Sequence, residues 1–235
     1  MTKKEVKKEK PHLETVTDKI GEIAIHYGFT VVKPPEITNS DLNKSKQFKE
    51  FDHYGDAEEK VALTRWYMDN RMDLESQPLA IHYKKPLSGS GAKKRHGYET
   101  YGLEVMGSTK STSEALIIKC VLSMLDDLGH KDIVLDVNSI GDRESINKFE
   151  RDLAAHFRKN GANLPAKIKQ EFKKNIYSII KNDADELKEW SQTSPQTVGS
   201  LSEVARIHLK EVLESIEMFN IPYKINNKIL SNKLF

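Results

Sequence analysis

The stretch Lys84 to Gly107, KKPLSGSGAKKRHGYETYGLEVMG, places Gly89, Gly91 and Gly97 and the cations Lys84, Lys85, Lys93, Lys94 and Arg95 around a compact aromatic and apolar run. Such residues can meet phosphate in two ways. A phosphate loop wraps the anion in backbone amides and needs G-x-x-x-x-G-K-[ST] between a strand and a helix. GLEVMGSTKST offers Gly102, Gly107, Lys110 and Ser111 near that order, but Ser108 and Thr109 intervene and the spacing fails. The other way is a basic hairpin, with Lys84, Lys85, Lys93, Lys94 and Arg95 on a nucleic-acid backbone and Tyr98 or Tyr101 stacked on a base. A solvated loop accounts for the same residues, since charge clusters are common on surfaces.

Other chemistry has less to draw on. G-x-S-x-G is absent, and the single cysteine, Cys120, lies in the apolar run ALIIKCVLSML, where burial would keep it a thiol. One cysteine forms no internal disulfide, which fits a cytoplasmic protein. The eight histidines show no HExxH spacing and have no CxxC beside them, so no metal site is expected. Glu58 and Glu104 are carboxylates placed near the expected sheet, able to hold the ammonium group of a ligand.

Elements must position these groups. HLETVTDKIGEIAIHYG reads as an amphipathic helix closed by Gly28, and FTVVKPPEI as a strand ended by Pro34 and Pro35. DAEEKVALTRWYMDNRM reads as a second helix. PLAIHYKKP and YETYGLEVMG then form two strands of an antiparallel hairpin with a glycine-serine tip. STSEALIIKCVLSMLDDLG is a helix expected to open on a capping box of Ser111 and Glu114 and to end at Gly129. KDIVLDVNSIGD is a buried strand leading into a turn. Helical runs in SINKFERDLAAHFRKN and PAKIKQEFKKNIYSIIK follow, then a linker, SQTSPQTVGS. A second capping box, Ser200 and Glu203, introduces a long helix, and IPYKINNKI restarts a strand. Strand pairs followed by helices without regular βαβ alternation indicate an α+β fold built on an antiparallel sheet.

The 235-residue length suits one large domain or a domain with an inserted lobe, and the formal charge of +2 argues against a chain built to coat nucleic acid. Apolar and charged residues, at 37% and 31%, describe a well-solvated helix-rich protein. The lysine-rich first residues alternate with Glu5 and Glu9 and precede no apolar segment, so residues 1–11 are expected to be a basic flexible tail, with no membrane anchor.

Five segments in order, YGFTVVKPPEI, YGLEVMGS, LSMLDDLG, LDVNSIGD and FNIPYKIN, resemble the catalytic core of histidyl-tRNA synthetase. The resemblance implies a class II synthetase-like antiparallel β-sheet flanked by helices. It places the core at residues 12–142 and 197–235, incomplete at its C-terminus, with a small helical insertion at 143–196. It further implies a homodimer through the motif 1-like region, Ile20 to Pro35, and ATP with Mg as a ligand wherever the family activity is retained. The hairpin occupies motif 2, which in the family holds ATP and the acceptor end of tRNA.

Residue by residue the match is uneven. The family's phosphate-binding arginine on the first motif 2 strand falls in LSGSG, where there is none. Its Arg-Pro-Glu-Gly-Thr-like histidine-binding segment falls on DAEEK, where Glu58 alone agrees. Its glutamine before GLEV falls on Thr100, and Glu104 is retained. Glu58, Glu104, Thr100 and Tyr98 are therefore the substrate-facing candidates, and Lys93, Lys94 and Arg95 the candidates for phosphate or RNA. Ser231 stands at a further arginine's place, and motif 3 and the anticodon-binding domain are not represented. Three readings stay open. The first is a noncatalytic regulatory, dimerising or ligand-sensing paralogue, for which the synthetase-like regulatory subunit of ATP phosphoribosyltransferase is a precedent. The second is a histidine–tRNA ligase that works as a fragment or with a second protein chain. The third is an RNA-binding module that engages tRNA through the hairpin and tail.

Overall fold

β2, Leu79–Pro86, and β3, Glu99–Met106, pair antiparallel from Leu79 opposite Met106 to Pro86 opposite Glu99. Because side chains alternate across a strand, this register assigns every residue of both strands to a face. Leu79, Ile81, Tyr83 and Lys85 share one with Met106, Glu104, Gly102 and Thr100. Ala80, His82 and Lys84 share the other with Val105, Leu103 and Tyr101. The computed structural model describes residues 18–48, 56–86, 99–181 and 187–230. Within it the chain divides into two units, Met1–Lys131 and Asp132–Phe235.

In the first unit, helices cover both faces of the sheet. α1, Lys19–His26, buries Ile20 and Ala24 at helical spacing, and α4, Thr112–Asp127, buries Cys120 and Met124. These side chains pack with Phe29 against Ala80, Leu103 and Val105. On the opposite face α3, Asp56–Asp69, brings Leu63 and Trp66 onto Ile81, Tyr83, Leu79 and Met106. The short β1, Thr30–Val31, joins β2 in parallel, since α2, Asn39–Ser45, and α3 carry the chain back before β2 begins. The expected antiparallel pairing is thus that of the hairpin, and the flanking strand runs the other way. α1 ends at Gly28 with φ +86° and α4 at Gly129 with φ +88°, the left-handed conformation that glycine adopts without strain.

The capping boxes differ from expectation. Ser111 already has helical angles, φ −52° and ψ −25°, and its side chain makes no cap bond, because an N-cap oxygen reaches the helix amides only from extended backbone. For α9, Glu203–Met218, the cap is Ser202, whose extended backbone lets Oγ accept from the Ala205 amide at 3.2 Å; Ser200 instead ends a short 3-10 turn.

α2 carries a full capping box between Thr38 and Asp41, and the Asp41 carboxylate is entirely buried. Arg65 of α3 donates from Nε and Nη2 to its two oxygens at 3.0 Å each, and Nη2 also donates to the Glu36 carbonyl at 2.8 Å. The fork ties α3 to α2, and the bond to Glu36 ties it to the segment before α2. Hydrogen bonds from Arg65 and from the Thr38 amide hold the Asp41 carboxyl far below the usual carboxylate range.

The second unit is mostly helical: α5, Arg143–Asn160; α6, Ala166–Lys174; α7, Ser178–Lys181; α8, Lys188–Thr193; and α9. Its core gathers Phe149, Leu153, Leu164, Ile168, Tyr177, Ile179, Leu187 and Trp190, with Phe157 and Phe172 stacked at 3.8 Å on its margin. β4, Leu135–Val137, pairs in parallel with β5, Tyr223–Ile225. Asp142 caps α5 by accepting from the Ser145 amide at 2.9 Å and also receives the Ser202 hydroxyl at 2.6 Å, so one carboxylate serves the starts of two helices. These bonds push its pKa down to about 2.

Two outcomes test this packing. Ile81→Ala removes a side chain with no exposed surface, and urea unfolding should show a loss of about 2–5 kcal/mol, as for other large-to-small core changes. Asp41→Asn strands the Arg65 guanidinium and should lower the melting temperature at neutral pH. The Asp41 pKa is depressed on folding from an ordinary value of 3.8, so its contribution is complete above about pH 4 to 5 and fades as pH falls further. The gap in melting temperature between wild type and Asp41→Asn should therefore narrow on acidification below pH 4.

Candidate functional site on the α3 face of the sheet

The sheet face beneath α3 carries the groups nearest to ligand chemistry. Gly102 stands opposite Tyr83, and a Cβ there would lie 2.1 Å from the Tyr83 ring, so the missing side chain is what allows the phenol to lie across β3. The ring is buried and its hydroxyl donates to Glu104 Oε1 at 3.4 Å. Burial, with the carboxylates of Glu59 and Glu104 beside it, raises the Tyr83 pKa far above the ordinary phenol value and keeps it protonated.

Two ion pairs complete the cluster. Lys60 of α3 reaches Glu104 of β3, and Lys85 of β2 reaches Glu59 of α3. The carboxylates are the sheltered partners, with side chains 18% and 14% exposed against 50% for Lys60 and 22% for Lys85. Two acids and two bases thus cancel on one face.

Of the sequence candidates, Glu104 lies in this cluster. Thr100 lies on the same face, half-buried and in register with Lys85. Glu58 is half-buried on α3 and, among the described residues, forms no hydrogen bond or ion pair; its neighbour Glu59 is the acid that meets the sheet. Tyr98, Lys93, Lys94 and Arg95 lie outside the described residues, as does the tip LSGSG. Sequence reading missed Glu59, Lys60 and Tyr83, and it offered Lys85 as a phosphate contact, whereas Lys85 pairs with Glu59. The alternation Ile81, Tyr83, Lys85 was available as a signal, but it becomes informative only with the hairpin register that sets Gly102 and Glu104 alongside.

On the opposite face His82 is buried, with Nδ1 3.0 Å from the Gly102 carbonyl, and its ring is stacked on Tyr101. Burial lowers its pKa, which favours the neutral imidazole. Lys84 pairs with Asp18, the N-cap of α1, at 2.9 Å and with Glu99 at 2.8 Å.

Arginine is the rigid, bidentate donor suited to phosphate oxygens. Neither β2 nor β3 contains one. Arg65 is engaged by Asp41, and Arg71 donates to both oxygens of Asp73 at 3.0 and 2.9 Å. The buried Cys120 thiol is pushed up to about 11 by desolvation, so it stays protonated at neutral pH. Among the described residues no three His, Cys, Asp or Glu side chains come together as a metal site, and no helix is long and apolar enough to cross a membrane.

No protein-family model matches the chain. Among curated proteins it is 25% identical over 228 residues to a histidine–tRNA ligase of Macrococcus caseolyticus, covering 88% of this chain and 54% of that one. It is 24% identical over 247 residues to a chloroplastic histidine–tRNA ligase of Porphyra purpurea, covering 94% and 56%. Among solved structures, apo histidyl-tRNA synthetase of S. aureus superposes with a TM-score of 0.60 at 17% identity, covering 90% of this chain and 52% of that one. The enzyme from Nostoc sp. PCC 7120 does so at 0.54 and 16%, covering 90% and 55%. The chain spans about half the length of the curated relatives it matches. It is a divergent histidyl-tRNA-synthetase-like core, with the mixed helix-and-strand class II synthetase fold of those structures.

Proposed function

We propose that this chain is a noncatalytic histidyl-tRNA-synthetase-like protein, a cytoplasmic ligand-sensing or regulatory module that dimerises through the region Ile20 to Pro35. The observation that supports it is the composition of the α3 face. Activating an amino acid joins its carboxylate to the α-phosphorus of ATP, and charge grows on phosphate oxygens that preorganised donors must meet. The face offers Lys60 of α3 and Lys85 of β2, already paired with Glu104 and Glu59, and neither β2 nor β3 contains an arginine. Loss of a single donor of this kind typically costs about 10²- to 10³-fold in rate. ATP with Mg²⁺ would be a substrate of the retained activity, and Lys60 and Lys85 are poor substitutes because each is balanced by its own carboxylate.

The length relation favours a second reading, a histidine–tRNA ligase that needs further polypeptide, since the chain covers 54% and 56% of the two ligases compared. The two readings separate in one assay. Histidine-dependent exchange of pyrophosphate into ATP by the purified chain should stay at background, and exchange above background would overturn the noncatalytic reading. Activity that appears only on adding a polypeptide equivalent to the relatives' remaining half would establish the second. Sedimentation of the same material at micromolar concentration should give a dimer; a monomer would refute the proposed Ile20–Pro35 interface.

A further inference from the structure

We infer that Lys60 is a tethered competitor, an ammonium group carried by α3 that occupies the Glu104 carboxylate and closes this face to ligands bearing a primary ammonium. The inference rests on reading the α3 face as ligand-facing and names how access to it is controlled.

The two partners differ in freedom. Glu104 is held on the central part of β3, its backbone fixed opposite Ile81, and its side chain is largely sheltered. Without Lys60 its described partner would be the Tyr83 hydroxyl at 3.4 Å. A sheltered carboxylate so weakly satisfied calls for a cation, because burying an unpaired charge is costly. Lys60 is half-exposed on a flexible stem, so it can withdraw into water while Glu104 stays.

Among the described residues, the remaining groups on this face cannot take over. Lys85 is held by Glu59 from the same helix, Thr100 carries no charge, and the Tyr83 ring is seated on Gly102 with a hydroxyl that stays protonated. Removing the Lys60 charge therefore leaves, among the described residues of this face, one uncompensated negative charge, at Glu104. An incoming primary ammonium reproduces what Lys60 supplied, a compact cation with three N–H donors. The lysine thus sets a threshold: a ligand binds when its other contacts outweigh the tether.

Calorimetry on the full chain tests this with L-histidine, with histamine, which keeps the ammonium but lacks the carboxylate, and with imidazolepropionate, which lacks the ammonium. Lys60→Ala should bind histidine and histamine about tenfold or more tightly than wild type, the range expected for one charge-assisted hydrogen bond, with no gain for imidazolepropionate. Adding Glu104→Gln to Lys60→Ala should erase the gain. A Lys60→Ala protein with a native melting temperature and unchanged affinities would overturn the inference, as would an equal gain for imidazolepropionate. Should Lys60→Ala fold poorly, Lys60→Gln keeps the chain length, removes the charge and is judged by the same comparison. A wild type that binds histidine as tightly as the variant, with no pyrophosphate exchange, would refute the role of Lys60 alone. Exchange by the wild type would strike at the noncatalytic reading itself.

Discussion

The antiparallel register between β2 and β3 is the constraint on which the first unit depends. A shift of β2 by one residue would turn Ile81 and Tyr83 away from α3 and Ala80 away from the cluster it forms with α1 and α4. Gly102 helps hold that register. Opposite any larger residue the Tyr83 ring would have to leave its place, and with it the hydroxyl that lies against Glu104. Packing on one face and charge pairing on the other are therefore consequences of the same strand alignment.

The charges on the α3 face illustrate how a retained residue can change meaning. Glu104 stands where the resemblance to histidyl-tRNA synthetase places a substrate-facing acid, but in this fold it meets a lysine of its own chain. Electrostatic preorganisation works through donors left free for the reacting groups. Here Lys60 and Lys85 are engaged internally, and the arginines described in this unit serve Asp41 and Asp73. The α3 face is better equipped to hold or exclude one cation than to gather the charge of a nucleotide.

Much of the fold was legible in residue order. Gly28 and Gly129 closed their helices as read, the hairpin strands were recognised from their alternation, and Cys120 was correctly read as a buried thiol. The helix starts were less legible. Ser111 and Ser200 satisfy the capping pattern by spacing, yet a cap depends on the φ and ψ of the residue that offers it, and Ser202 has the extended backbone that Ser111 lacks. The parallel run of β1 beside β2 was also hidden, since pairing direction depends on how α2 and α3 carry the chain between them.

The sequence by itself determined the period of each element, the apolar faces, and the absence of arginine from β2 and β3, because these are local properties of residue type and spacing. It also carried the resemblance, which the curated ligases share in sequence and the solved structures share in fold. Only the tertiary structure decided that Glu59 rather than Glu58 meets the sheet and that Lys60 closes on Glu104. Adjacent helical residues differ by about 100° in direction, and the one that faces a neighbour is chosen by how the helix is seated. For α3 that seating is set by Leu63 on the sheet and by the Arg65 fork to Asp41, contacts that join residues far apart in the chain.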